Sequence, residues 1–100
     1  SYKNFYKPAS YSAIKHGLLG LTKYFSTFYA ASGITCNMIS PGPILNDQSK
    51  TLVKNIKKIT PMKRLASRSD LLGMIKFLLS GNSRFITGQN IVIDGGRTII

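Results

Sequence analysis

Apolar residues recur every three or four positions over residues 9–31, the spacing of one face of an α-helix. The pattern predicts a long helix that follows Pro8, with Ser10 as a candidate N-cap and Gly33 as a candidate left-handed terminator. The apolar positions are Ile14, Leu18, Leu21, Phe25 and Phe28.

Glycines at positions 17 and 20 interrupt this otherwise strong helix. Each costs about 1 kcal/mol relative to alanine inside a helix. Small residues at such positions predict close packing against another backbone, which could belong to another subunit.

Two shorter apolar runs predict strands. Residues 34–40 stop at Pro41-Gly42-Pro43, and the proline pushes the preceding Ser40 into extended geometry. Residues 89–96 form a β-branched run that stops at two glycines. Both are typical of strands that feed a loop.

Two further runs predict helices over residues 46–59 and 67–83. The first places Leu52, Ile56 and Ile59 on one side and ends before Pro61. Gly81 would terminate the second. The candidate caps are Asp47 or Ser49 for the first helix and Ser67 with Asp70, at capping-box spacing, for the second.

The order helix–strand–helix–helix–strand predicts an α/β fold with parallel strands. Two parallel strands alone would make a poor fold, because parallel sheets are covered on both faces and usually contain several strands. We therefore expect one end of a larger doubly wound parallel sheet. No linker between domains and no internal repeat is visible in the 100 residues.

The chain is strongly basic, with 14 Lys and Arg against 3 Asp and a net charge of +11. This balance would suit nucleic acid or an anionic membrane. The lysines are spread along the whole chain, however. A genome-wide bias towards lysine, or a missing acidic half of the protein, therefore explains the positive charge equally well. No stretch reaches the roughly 18 apolar residues of a membrane span. We expect neither nucleic acid nor a membrane as partner.

Cys36 is the single cysteine and His16 the single histidine. One of each cannot build a usual metal cluster, so no metal site is expected. A lone cysteine in an apolar run is typical of a small core residue, and the lack of a disulfide suits a reducing, cytoplasmic environment.

Tyr11 and Lys15 stand four positions apart, which places them side by side on a helix. An ammonium group beside a phenol favours the phenolate, and such a tyrosine can exchange a proton with a carbonyl or alcohol oxygen. Taken alone, the spacing is equally compatible with a chance contact on the helix surface.

The surroundings of this pair resemble the short-chain dehydrogenase/reductase family. Tyr11-Ser-Ala-Ile-Lys15 resembles its catalytic helix, and four motifs occur in the family's order over residues 8–97. The other three are Ile39-Ser-Pro41-Gly42-Pro-Ile44, Phe85-Ile86-Thr87-Gly88-Gln89 and Asp94-Gly95-Gly96. The resemblance implies a Rossmann fold and an NAD- or NADP-dependent oxidoreductase that interconverts a carbonyl and an alcohol.

The resemblance also implies roles for matching residues. Tyr11 would be the general acid/base, and Lys15 would bind the nicotinamide ribose and favour ionisation of Tyr11. The nicotinamide site would be lined by Pro41, Gly42 and Ile44, with Asn46 standing where many members have a threonine that touches the cofactor.

Three family features are not found in the sequence: the glycine-rich TGxxxGxG loop, the Asn-Ala-Gly motif and the catalytic serine. Residues 1–100 therefore resemble the C-terminal fragment of a single domain, with residues 44–68 as its variable substrate lobe. We expect this fragment alone to be inactive, because the loop that delivers pyrophosphate to a helix N-terminus is not in it.

The substrate lobe carries a basic strip made of Lys50, Lys54, Lys57 and Lys58. The strip is either a solvated face or a surface that attracts an anionic substrate, such as a 3-oxoacyl thioester on a carrier or a nucleotide-linked sugar. Family members assemble through the helix after the tyrosine and through the last strand, so a homodimer or homotetramer is implied. The apolar stripe of the first helix and the tail Ile99-Ile100 would serve these contacts. A basic, non-catalytic binding or assembly module remains the alternative.

Overall fold

A computed structural model describes residues 9–97. It confirms the α/β class, with three α-helices and two parallel strands in one sheet. In chain order the elements are α1 (Ala9–Tyr29), β1 (Met38–Pro41), α2 (Lys50–Ile59), α3 (Arg68–Leu78) and β2 (Asn90–Ile93). Short 3-10 turns follow α1 at Ala30–Ser32 and α3 at Gly81–Ser83. The predicted contributions of Pro8 and of Ile99-Ile100 lie outside the described residues.

Helix α1 has nearly the predicted length and the predicted start, but its predicted N-cap was wrong. It begins at Ala9, so Ser10 lies inside the helix and does not cap it. At the other end Gly33 adopts a left-handed φ of 76°, and its N–H donates to the Ala30 carbonyl over 3.0 Å. Glycine reaches this conformation without the clash that a Cβ would cause.

The apolar stripe of α1 is not covered within the described residues. Ile14 and Phe28 are 65% and 64% exposed, and the buried positions of the helix are Thr22 and Ser26. Gly17 and Gly20 have no neighbour within 4 Å of the place a Cβ would occupy. The close packing that these glycines predict is therefore not made in the described part of the chain.

Strand β1 is shorter than predicted, because side chains replace the ladder before it. The Cys36 N–H donates to the Thr87 hydroxyl (3.0 Å), and the Asn37 amide group bonds both the Ile86 carbonyl (3.0 Å) and the Gln89 N–H (3.1 Å). Regular backbone pairing with β2 begins where the Met38 N–H donates to the Gln89 carbonyl over 2.8 Å.

Helix α2 begins at Lys50, later than predicted, and Ser49 rather than Asp47 caps it. The Ser49 hydroxyl accepts from the Leu52 N–H over 3.1 Å, which satisfies a donor that the first helical turn leaves open. Thr60 is the C-cap, directly before Pro61 as predicted. Ile56, on the inner side, is one of two buried apolar residues in the described range 9–97 and is 3% exposed.

Helix α3 has the predicted cap but ends earlier. The Asp70 carboxylate accepts from the Ser67 N–H over 2.7 Å at the N-terminus. The helix ends at Leu78, because Ser80 turns the chain: its hydroxyl donates to the Phe77 carbonyl (2.6 Å) and accepts from the Asn82 N–H (3.2 Å). Gly81 begins the following 3-10 turn.

The described residues fall into two compact units. One contains the chain up to Met38 with Ile86–Gln89, and the other contains Ile39–Phe85 with the residues from Asn90 onward. No α-helix in residues 9–97 combines the length and apolarity that crossing a bilayer requires. The same residues hold no group of three or more His, Cys, Asp or Glu side chains placed to bind a metal.

Candidate functional site

Tyr11 and Lys15 lie one turn apart near the start of α1. The Tyr11 side chain is 49% exposed and Lys15 is half-buried. His16 follows Lys15 directly and is therefore turned by about 100° from it around the helix. Its Nδ1 atom lies 2.8 Å from the Ser12 carbonyl oxygen. Helical spacing alone brings the phenol and the ammonium onto one face.

The predicted nicotinamide residues all lie on one segment, at the carboxyl end of β1. Pro41 is the last residue of the strand, and the Gly42 N–H donates to the Ile93 carbonyl of β2 over 2.8 Å. A Cβ on Gly42 would come within 3.0 Å of the Asp94 Cα atom. Only glycine allows the two strands to approach this closely without a shift.

Ala66 holds the next part of this segment in a single parallel bridge with Ile44. The Ala66 N–H donates to the Pro43 carbonyl (2.9 Å), and the Ala66 carbonyl accepts from the Leu45 N–H (2.8 Å). Because the Pro43 carbonyl points towards Ala66 and its peptide is trans, the Ile44 N–H points away from Ala66. The bridge thus fixes the direction of one backbone donor.

Gln48 was missed by the sequence interpretation. Its Nε2 atom donates to the Ile44 carbonyl over 2.6 Å, and its Oε1 atom accepts from the Asn46 N–H over 2.7 Å. One side chain therefore spans the segment on both sides of Leu45. A glutamine in a polar loop gives no sequence signal for such a role, because the role depends on how the loop folds back.

A cleft of about 190 Å³ opens at the carboxyl ends of β1 and β2. This is the edge at which open parallel sheets bind ligands. The last residue of β2 and residues that follow both strands line it, together with residues between α2 and α3 and one from α3 itself. They are Gly42, Pro43, Thr60, Met62, Arg64, Ala66, Asp70, Ile93, Asp94 and Gly95.

An ion pair stands at the wall of this cleft. Arg64 Nη1 and Nη2 contact the two Asp70 oxygens at 2.7 and 3.1 Å. The hydrogen bond from Arg64, with those from the Ser67 N–H and hydroxyl, holds the pKa of Asp70 well below its ordinary 3.8. The same hydrogen bond raises the pKa of Arg64 above its ordinary value. The pair fixes the loop after α2 to the N-terminus of α3.

The basic strip lies on one exposed face of α2. Successive residues of a helix are turned by about 100°, so all four lysines fall within an arc of about 100° on the side away from Ile56. None of them forms an ion pair within the described residues, where Arg64–Asp70 is the salt bridge found. The strip consists of Lys50, Lys54, Lys57 and Lys58.

The predicted site residues thus form two local groups. Tyr11 and Lys15 share a face of α1, while Pro41, Gly42, Ile44 and Asn46 share the segment after β1. Each group belongs to a different compact unit.

Comparison with known proteins identifies the family. A family model described as enoyl-(acyl carrier protein) reductase matches residues 1–98. The chain belongs to the short-chain dehydrogenase/reductase family. Among curated family members, a 3-oxoacyl-(acyl-carrier-protein) reductase of Staphylococcus epidermidis is 37% identical over 92 residues, which cover 88% of this chain and 38% of that protein. A 7α-hydroxysteroid dehydrogenase of Bacteroides fragilis is 41% identical over 96 residues, covering 89% and 36%.

Solved structures of short-chain dehydrogenases have the same fold. A short-chain dehydrogenase of Leptospira borgpetersenii with bound NAD+ superposes with a TM-score of 0.90 at 40% identity and covers 98% of this chain and 39% of that one. A 4-hydroxyisoleucine dehydrogenase in complex with NADH gives 0.86 at 38% identity, covering 92% and 40%. The chain therefore spans about two-fifths of the length of these family members.

Proposed function

We propose that this chain is the acid/base-bearing part of a nicotinamide-dependent oxidoreductase that interconverts a carbonyl and an alcohol. The observation that carries the proposal is the pairing of Tyr11 with Lys15 on one face of α1 in a chain that belongs to the short-chain dehydrogenase/reductase family. Pairing by chance explains neither the family membership nor the matching segment after β1.

Tyr11 exchanges the proton in this reaction. In the reductive direction its hydroxyl donates a proton to the carbonyl oxygen, and in the oxidative direction the phenolate accepts the proton of the alcohol. Lys15 is the neighbouring cation that stabilises the phenolate. Because the phenol is about half exposed, it is accessible to a small substrate.

Each group, taken by itself, suits a different part of a nicotinamide dinucleotide. The Ile44 N–H, directed by Ala66, suits a hydrogen bond to a carboxamide, and the Lys15 ammonium suits the ribose hydroxyls. Pro41 and Gly42 supply apolar surface and close backbone approach for the ring, with the Asn46 side chain as a further polar contact. The bound cofactor, NAD or NADP, supplies or accepts the hydride. Family structures with NAD+, NADH and NADPH support this assignment.

The basic strip of α2 favours a substrate with a negative charge. We assign residues 44–68 as the substrate lobe and a 3-oxoacyl thioester as the first substrate class to test, since a curated relative is a 3-oxoacyl-(acyl-carrier-protein) reductase. A nucleotide-linked sugar has the same charge chemistry. Turnover of a panel of oxoacyl thioesters, oxo-sugars and simple ketones distinguishes these classes. Equal turnover of charged and neutral substrates would contradict the role of the lysines.

The 100 residues by themselves are proposed to be inactive, as the C-terminal fragment of one cytoplasmic domain. Hydride transfer needs a held cofactor, and the 100 residues contain no glycine-rich pyrophosphate loop. Calorimetric titration of the chain with NADH and NADPH tests this directly, and we expect no binding in the micromolar range. Micromolar binding would refute the inactivity.

A homodimer or homotetramer is proposed for the active assembly. The uncovered apolar face of α1 supports it, because a face this apolar is unfavourable in water. The basic, non-catalytic module predicts instead steeply salt-dependent binding to nucleic acid or anionic vesicles. Binding of that kind, with no turnover of any carbonyl, would favour the alternative.

A further inference from the structure

The segment after β1 has three successive backbone N–H groups that could meet a ligand, at Ile44, Leu45 and Asn46. Two of them are already used: Leu45 donates to the Ala66 carbonyl over 2.8 Å, and Asn46 donates to Gln48 Oε1 over 2.7 Å. Among these three donors the Ile44 N–H is thus the one directed elsewhere.

Gln48 uses both ends of its amide on this segment. The Oε1 atom takes the Asn46 N–H, and the Nε2 atom donates to the Ile44 carbonyl over 2.6 Å. The peptide between Ile44 and Leu45 is consequently held from two directions, since its carbonyl bonds Gln48 and its N–H bonds Ala66. A peptide plane held at both ends cannot rotate without breaking both hydrogen bonds.

We propose that Gln48 is a positioning residue, which fixes the Ile44–Asn46 segment so that the Ile44 N–H is preset for the carboxamide of a nicotinamide cofactor. The inference rests on the proposed function of the segment. Gln48 itself touches backbone rather than cofactor, so its effect is on the nicotinamide end of the ligand. Binding to a preset donor does not have to order the loop first.

The geometry separates two kinds of substitution. Gln48→Leu keeps the approximate size and removes both hydrogen bonds. In Gln48→Glu the carboxylate can still accept from the Asn46 N–H but cannot donate to the Ile44 carbonyl. Gln89→Leu is the matched control, because Gln89 is the other glutamine of the chain and its side chain bonds the Thr87 carbonyl at 3.3 Å.

The test compares two ligands on the protein as it is expressed from its own gene. NADH or NADPH contains the nicotinamide, whereas ADP-ribose keeps the rest of the NAD molecule and lacks the nicotinamide. We expect Gln48→Leu to weaken dinucleotide binding about tenfold, the effect of losing one or two hydrogen bonds, and to leave ADP-ribose binding unchanged. The dinucleotide affinity of Gln48→Glu should lie between those of Gln48→Leu and the unsubstituted protein. The affinity of Gln89→Leu should equal that of the unsubstituted protein.

A second readout needs no cofactor. Amide hydrogen exchange, followed by NMR, should become about tenfold faster for Asn46 in Gln48→Leu and should stay slow in Gln48→Glu. Unchanged exchange at Asn46 would overturn the inference, as would an equal loss of dinucleotide and ADP-ribose affinity. If the unsubstituted protein expressed from its own gene, as distinct from the isolated 100 residues, binds neither ligand, the proposed function fails and the positioning role falls with it. If the parent binds and Gln48→Leu binds equally well, the positioning role alone fails.

Discussion

Helix α1 and the segment after β1 hold their predicted site residues in opposite ways. Tyr11 and Lys15 share a face because α-helical residues four apart do so, whatever the rest of the protein does. The Ile44–Asn46 segment has no regular structure of its own and is held by Ala66 and Gln48. Local helix geometry therefore positions the proposed proton donor, whereas contacts between separate parts of the chain position the proposed cofactor segment.

The difference extends to burial. The apolar stripe of α1 is exposed, with Leu18 and Leu21 about half accessible, although it has the clearest periodicity in the sequence. The second unit encloses Ile56 and Leu65, which are 3% and 7% exposed. An apolar stripe on a helix predicts that the face packs against a partner, but it does not identify that partner.

Substitutions on α1 should change chemistry with little effect on folding, and the largest effect is expected at Tyr11. Tyr11→Phe removes the proton donor, so kcat/KM for carbonyl reduction should fall by about 10²- to 10⁴-fold. Steady-state kinetics on the protein expressed from its own gene measure this. Tyr24→Phe is the control, since Tyr24 is an exposed tyrosine of the same helix. Full activity of Tyr11→Phe would refute the acid/base role.

Lys15→Met should have the next largest effect. It keeps the length of the side chain and removes a charged hydrogen-bond donor, so cofactor-dependent turnover should fall about 10- to 100-fold. Lys23→Met, at an exposed lysine on the same helix, should retain parent activity. Equal losses in the two variants would mean that the helix needs positive charge in general rather than Lys15 in particular.

In the second unit the same kind of experiment should change stability instead. Gly95 has a φ of +64°, and an added Cβ would lie 3.1 Å from Thr60 Cγ2. Gly95→Ala should therefore cost about 1–3 kcal/mol in the free energy of unfolding. Gly17→Ala, in the middle of α1 with no neighbour within 4 Å, should gain up to about 1 kcal/mol. Urea unfolding measures the free energy of unfolding of both variants. Changes of the same sign in the two variants would remove the contrast between the regions.

The smallest effect is expected at the Arg64–Asp70 pair. The folded-state pKa of Asp70 is lowered, so the pair stabilises the fold above the ordinary pKa of 3.8, and this stabilisation is lost as the pH falls below that value. Asp70→Asn should remove this part of the acid sensitivity and lower stability slightly near neutral pH, because exposed ion pairs contribute little. Thermal unfolding from pH 2 to 7 measures it, with Asp47→Asn as control. Identical pH profiles for Asp70→Asn and the parent would contradict a stabilising pair.

Much of the fold could be predicted because its signals are local. Helical periodicity located α1, the Ser67 and Asp70 spacing located the start of α3, and Gly33 marked a left-handed turn. Predicted boundaries failed where side chains took over backbone hydrogen bonds. Asn37 and Thr87 shortened β1, and Ser80 ended α3. A sequence shows that such residues can bond backbone, but not which backbone comes within reach.

By itself the sequence determined the class of fold and the shared face of Tyr11 and Lys15, because helix spacing and element order are encoded by neighbouring residues. The tertiary structure alone decided that Gly42 must pass close to Asp94 and that Ala66 directs the Ile44 N–H. It also decided that Gln48 spans the segment after β1. Each of these depends on residues that meet only after the chain folds back, so no local pattern could have specified them.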